Sequence, residues 1–190
     1  FFDAAARHLD ALFKTEAELK SMGFSLVGNR FMKGGEMWLP LYESKMIWHY
    51  DHRFGSYEGV DSRTSTHIKH PTEEEYADPD YLIKPWYWVE LSKEKKWKIG
   101  FRRVARTNDD RTFISTIIPT QESGDSLFLF EGIDDCLELL KFNSLTCSMI
   151  YDFYVRQKIS GTNANFFFFY LFPFINRNTT VSTTLLLNYS

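Results

Sequence analysis

Trp97-Lys98-Ile99-Gly100-Phe101-Arg102-Arg103-Val104, then Thr112-Phe113-Ile114-Ser115-Thr116-Ile117-Ile118, then Leu127-Phe128-Leu129-Phe130 are three short runs with polar turns between them. β-Branched and aromatic residues dominate each run, and this reads as three strands. The next stretch, Ile133 to Lys158, carries Leu137, Leu140, Leu145, Met149, Ile150, Phe153 and Tyr154 at helical spacing. It reads as a helix with a break near Asn143-Ser144, with Asp134 or Asp135 capping the first part and Ser144 the second. Strands followed by helices, rather than alternation with them, define an α+β fold.

Upstream of this stretch the same logic holds. Trp86 to Leu91 is a further strand, introduced by Pro85. Leu26 to Phe31 and Met37 to Leu41 flank Lys33-Gly34-Gly35, a hairpin signal. Residues 1–22 read as two helices, the first with Ala4, Ala5, Leu9, Leu12 and Phe13 on one face. Thr15 and Glu18 form a capping-box pattern for the second, and Gly23 ends it. Residues 55–80 are rich in Gly, Ser, Thr, Asp and Pro and contain Glu73-Glu74-Glu75. A loop of that length in a compact domain is functional or mobile. The expected fold is therefore a small, mostly antiparallel sheet with an N-terminal helix and a C-terminal helical segment. Its parts are a helical lead-in over 1–28, an α+β core over 29–130, a helical segment over 131–175 and a tail over 176–190.

With 190 residues, of which 44% are hydrophobic and 25% charged, the chain suits one domain and is not globally disordered. The net charge of −3 excludes a strongly basic domain. The 17% aromatic content is high, and composition alone does not explain it. Two cysteines, Cys136 and Cys147, read as buried free thiols; they are too few for a disulfide framework or a zinc site. That usage fits a reducing cytoplasm. No apolar run reaches the roughly 18 residues of a membrane span; Phe166 to Ile175 comes nearest and contains Pro173. A start at Phe1 with no signal-peptide pattern reads as a piece of a longer protein.

The average charge hides a local excess. Between Lys93 and Arg111 lie eight cations (Lys93, Lys95, Lys96, Lys98, Arg102, Arg103, Arg106, Arg111) against Glu94, Asp109 and Asp110. On a strand, Lys98, Gly100, Arg102, Val104 and Arg106 share one face, a pattern that suits a phosphate backbone and base edges. The alternative is a solvated strand face with local ion pairs. Arg156-Gln157-Lys158 closes the long helix, where the macrodipole favours cations, although Arg and Gln also read purine edges. Asp51-His52 is a weak acid–base pair, because adjacent residues do not face each other in a regular element. Pro79-Asp80 with Glu94-Lys95-Lys96 matches the string of a Mg²⁺-dependent PD-ExK nuclease, but in a polar turn rather than on a buried strand. The chain has no Gly-rich phosphate loop, no GxSxG elbow, no HExxH and no NPPY-type sequence.

Four blocks taken in order resemble a known family. The first is Gly28-Asn29-Arg30-Phe31, Leu39-Pro40-Leu41-Tyr42-Glu43-Ser44-Lys45-Met46-Ile47, Tyr50-Asp51-His52-Arg53-Phe54 and Tyr57. The second is Pro85-Trp86-Tyr87-Trp88-Val89. The third is Gly100-Phe101-Arg102-Arg103-Val104-Ala105-Arg106, with Arg111-Thr112 and Ile118-Pro119. The fourth is Asn143-Ser144-Leu145, Arg156-Gln157-Lys158, Gly161-Thr162, Phe169-Tyr170-Leu171 and Pro173. The set is similar to the C-terminal, TaqI-like specificity domain of Type IIG-like restriction-modification adenine-N6 DNA methyltransferases and their phage-defence relatives. It spans roughly residues 8–173. Phe172 stands where relatives tend to have a polar pair, and 176–190 matches nothing in the family.

The resemblance implies a non-catalytic target-recognition domain. Its partners would be double-stranded DNA and the parent's own N-terminal methyltransferase domain, with no membrane. S-adenosylmethionine would bind that parent domain, with no cofactor or metal in this chain; some family members also carry an endonuclease. The adenine would be flipped out of the stack by the catalytic domain. The expected DNA-facing residues are Lys45, His52, Arg53, Lys98, Arg102, Arg103, Arg106, Arg111, Arg156, Gln157, Lys158 and Thr162. Two readings stand beside this one: a nuclease using Asp80, Glu94 and Lys96, and a docking module that uses Phe166 to Phe174 against a catalytic subunit.

Overall fold

The computed structural model describes residues 13–90, 97–119, 122–130, 132–159, 161, 163 and 164. Among these residues two sheets and four short α-helices make an α+β fold. The first sheet holds β1 (Phe13–Lys14), β2 (Ser25–Val27), β3 (Arg30–Lys33), β4 (Glu36–Tyr42) and β5 (Trp88–Glu90) in the order β1-β5-β4-β3-β2, all antiparallel. The second holds β6 (Lys98–Arg102), β7 (Ser115–Ile118) and β9 (Leu127–Phe130) in the order β7-β6-β9, also antiparallel. A two-residue strand, β8 (Glu122–Ser123), pairs parallel with β4 and ties the sheets together.

The hairpin expected at Gly34-Gly35 joins β3 to β4, with both glycines at positive φ (55° and 93°). A second turn at Gly28-Asn29 splits the run read as one strand. Gly28 has φ 59°, and β2 pairs back onto β3. Helix α1 (Glu16–Ser21) starts with the Thr15–Glu18 capping box and ends before Gly23 (φ 84°). Phe13, expected on a helix, is a strand residue paired with Val89 and stacked on Tyr87 at 6.0 Å. The rest of the first expected helix lies outside the described residues. So does the tail over 176–190.

Segment 55–80 contains α2 (Glu73–Ala77), a helix with its own Thr72–Glu75 capping box that absorbs the acidic run into its first turn. Ser56 bridges Lys69, and Lys69 binds both Glu58 (2.5 Å) and Glu75 (2.6 Å). The long helical stretch is two helices, α3 (Cys136–Thr146) and α4 (Met149–Lys158). Asp135 caps α3 as read. The break falls at Cys147-Ser148 rather than 143–144, because Ser148, not Ser144, accepts the Tyr151 N–H of the next turn. Asn143 stays helical and buried. Cys147 is buried and free, but Cys136, in the first turn of α3, is exposed.

Three apolar clusters take up much of the aromatic content of the described residues. Leu19 of α1 packs under the first sheet with Phe24, Phe31, Trp38 and Trp88, and Phe31 meets Trp88 edge-on at 5.1 Å. Tyr42, Met46, Ile47, Tyr57 and Ile83 join Ile118 and Leu127 between the two sheets. Ile99, Phe101, Phe113 and Phe130 pack against Leu139, Tyr151 and Val155 of α3 and α4, with Phe101 at 4.7 Å from Phe130 and 5.3 Å from Phe113. Among the described residues no helix is long and apolar enough to cross a membrane.

Candidate nucleic-acid interface

β6 sets the geometry. Ile99 and Phe101 point into the helix-covered core and are fully buried. Lys98, Gly100 and Arg102 therefore take the other face, as the two-residue period requires. That face is not an open cationic row. Gly100 lies against Leu127 and Ile118, and Arg102 runs under residues 47–54. The strand ends at Arg102, so Arg106 does not continue the row; it sits in an exposed turn whose carbonyl accepts the Asp109 N–H.

Arg102 is the central residue. One Nη donates to the Ile47 carbonyl at 2.7 Å, and the guanidinium lies over the Trp48 ring at 4.8 Å and near Phe54 at 5.9 Å. Its Nε is buried with no hydrogen-bond partner, and no carboxylate pairs with it among the described residues. Burial pushes its pKa down to about 10, with the Asp109 charge pulling the other way.

Arg111 is the second cation of the site. Its Nη donates to the Cys147 carbonyl at 2.8 Å and its Nε lies 3.5 Å from the buried carboxylate of Asp152. Asp152 also accepts the Phe113 N–H at 2.7 Å and lies 3.4 Å from Arg156. Arg102 and Arg111 line an open, polar cleft of about 390 Å³ together with Trp48, Asn108, Asp109 and Asp110. Trp48 and Asp51 close a two-residue turn, 2.8 Å and 3.1 Å between backbone atoms, in which Tyr50 adopts the left-handed region (φ 60°). The other turn residue, His49, has both ring nitrogens buried without partners. Burial, helped by the Arg111 and Arg102 charges, holds its pKa down to about 4, against the opposing pull of Asp152.

The remaining candidates separate into committed and available groups. Arg156 spans the carbonyls of Thr107 (2.8 Å), Asp109 (2.9 Å) and Asp110 (3.1 Å), so it braces the 107–110 turn rather than reaching outward. Arg53 likewise holds the carbonyls of Tyr76, Asp78 and Tyr81. Lys45 donates to the carbonyls of Arg63 and Ser65. Arg103 pairs with Asp125. His52 is half-buried, edge-on to Tyr42 at 6.5 Å, with burial lowering its pKa. Asp51 serves Arg53 N–H and the Tyr76 hydroxyl, not His52. Lys98 is half-buried; Arg106, Gln157 and Lys158 are exposed. Thr162 lies outside the described residues.

Sequence reading did not single out Trp48, His49, Asn108, Asp109 or Asp110 as a site. The turn signature Asn108-Asp109-Asp110 beside a cationic strand was the available signal. Asp80 is exposed in a turn, its N–H bonded to Asp78; Glu94, Lys96 and the run Phe166 to Phe174 lie outside the described residues. Among the described residues no three His, Cys, Asp or Glu side chains could hold a metal ion. On α3 and α4, Leu137, Leu140, Met149, Ile150, Phe153 and Tyr154 form an exposed apolar stripe, with Met149 68% and Phe153 61% accessible. No protein-family model, no curated protein and no solved structure matches the chain.

Proposed function

We propose that this chain is the DNA target-recognition domain of a restriction-modification adenine-N6 methyltransferase, and that it performs no chemistry itself. The ordered motif set supports the class. The observation that carries the reading is Arg102, a half-buried cation with no carboxylate partner among the described residues, held on the wall of an open polar cleft beside a second fixed arginine. A protein does not desolvate a cation beside solvent without cost, and an anion brought to it recovers that cost. Arg106, Gln157 and Lys158, all exposed, are the side chains free to extend toward a groove or backbone. S-adenosylmethionine and the methyl transfer belong to the catalytic domain of the parent protein. The apolar stripe on α3 and α4 supports a protein neighbour, and that catalytic domain is the neighbour we assign to it.

The test is fluorescence anisotropy of the protein with a labelled duplex of mixed sequence across a salt series. With about four phosphate contacts, affinity falls on the order of a hundredfold between about 50 and 200 mM salt. No binding at the low-salt end removes the proposal.

A further inference from the structure

We propose that the cleft between Trp48, Arg102 and Arg111 is an oxyanion site that holds one phosphate of a DNA backbone. The inference rests on the DNA-binding reading above and names the chemical group that the cleft takes.

Three features of the cleft converge on it. First, both guanidinium groups are fixed before any ligand arrives, Arg102 by the Ile47 carbonyl and the Trp48 ring, Arg111 by the Cys147 carbonyl and Asp152. Little ordering entropy then opposes binding. Second, Arg102 retains donor capacity: among the described residues only one of its Nη atoms makes a hydrogen bond, to the Ile47 carbonyl. A phosphodiester offers two non-bridging oxygens and one negative charge, which suits a guanidinium with donors to spare. Third, the lining beside Arg102 is the uncharged Trp48 ring, and the carboxylates of the lining, Asp109 and Asp110, are exposed and pair with neither arginine, while His49 is near enough to both arginines to report on them.

A phosphate fits this place better than a base edge. Reading a base requires a side chain that extends into the groove, whereas Arg102 is set back and pinned against an indole. Phosphates are the outermost groups of a duplex and reach a recessed cation. The rim carries Asp109 and Asp110, exposed and in no ion pair with Arg102 or Arg111. They oppose an incoming anion, which gives the site a test with opposite signs.

Four proteins are compared: wild type, Arg102→Gln, Asp109→Asn and Asp110→Asn. Inorganic phosphate is the first probe, followed by NMR of the His49 imidazole; a mixed-sequence duplex across a salt series is the second. Phosphate is expected to move the His49 resonance in wild type and not in Arg102→Gln. Arg102→Gln is expected to weaken duplex binding about tenfold irrespective of sequence and to reduce the slope of log affinity against log salt by about 0.9. Each rim variant, altered at an exposed side chain that leaves the core untouched, is expected to tighten duplex binding about threefold. If the duplex binds with salt dependence but these variants change neither affinity nor slope, the cleft inference is wrong and the DNA reading stands. If phosphate binds through Arg102 but no duplex binds at low salt, the DNA reading fails and with it the backbone assignment.

Discussion

Replacing Asp152 with alanine removes the hub that positions one wall of the cleft. The carboxylate is 7% exposed and has three partners: the buried Phe113 N–H at 2.7 Å, Arg111 at 3.5 Å and Arg156 at 3.4 Å. Leaving the Phe113 N–H without an acceptor costs about 1–3 kcal/mol. Stripping the counter-charge from a fully buried arginine costs about 3–5 kcal/mol. Here the figure is smaller, because the Arg111 and Arg156 side chains keep 19% and 30% exposure and Arg156 retains its carbonyl partners. Together the loss comes to about 3–4 kcal/mol, a large share of the roughly 5–15 kcal/mol that holds a domain folded. Asp152→Asn keeps an acceptor for the Phe113 N–H but loses the charge and turns the oxygen facing Arg156 into an N–H donor, and so costs about 1–2 kcal/mol. Urea unfolding followed by tryptophan fluorescence measures both. With a slope of about 2 kcal/mol per molar, the alanine midpoint falls by about 1.5–2 M and the asparagine midpoint by about half that. An alanine variant within 0.5 M of wild type, or an asparagine variant as damaged as alanine, refutes the hub argument.

Other positions give shorter tests. At Gly55 an added Cβ would lie 2.6 Å from the Lys45 carbonyl oxygen; Gly55→Ala should cost about 1–3 kcal/mol and lower the thermal midpoint by about 2–4 °C for each kcal/mol. Ser148→Ala removes the α4 cap to Tyr151 N–H, and calorimetry should register about 1 kcal/mol. His49 titrates near 6.5 when unfolded and near 4 when folded, so between these values the unfolded chain binds more protons and stability falls as pH drops. His49→Gln should flatten the stability curve over that window relative to wild type; identical slopes would show that His49 is not held neutral.

Local features were readable in the sequence because their causes are local. The capping box at Thr15 and Glu18, the Gly34-Gly35 hairpin, the Leu127–Phe130 strand and the Asp135 cap each depend on residues within a few positions. The fate of the arginines was not readable. Arg102 is covered by Ile47, Trp48 and Phe54, about fifty residues earlier, and Arg156 braces a turn about forty-seven residues before it. Spacing along a strand predicts which side chains share a face, and it does so for Lys98, Gly100 and Arg102. It does not predict what packs on that face. The helix break shifted for a similar reason. Ser144 was the expected cap, but the helix runs on through it with Asn143 buried beside Cys147, and Ser148 starts the next helix.

The net charge also reads differently at the level of atoms. Among the described residues Arg103, Arg111 and Arg156 are bound to carbonyls or carboxylates of the protein, and what distinguishes the site is Arg102, a guanidinium packed under an indole with no carboxylate paired to it. Target recognition, rather than general affinity for DNA, is the central claim, and selection from a pool of randomised duplexes tests it most directly. The protein is expected to enrich one short consensus over successive rounds at moderate salt. Bound duplexes that remain as random as the starting pool would contradict it.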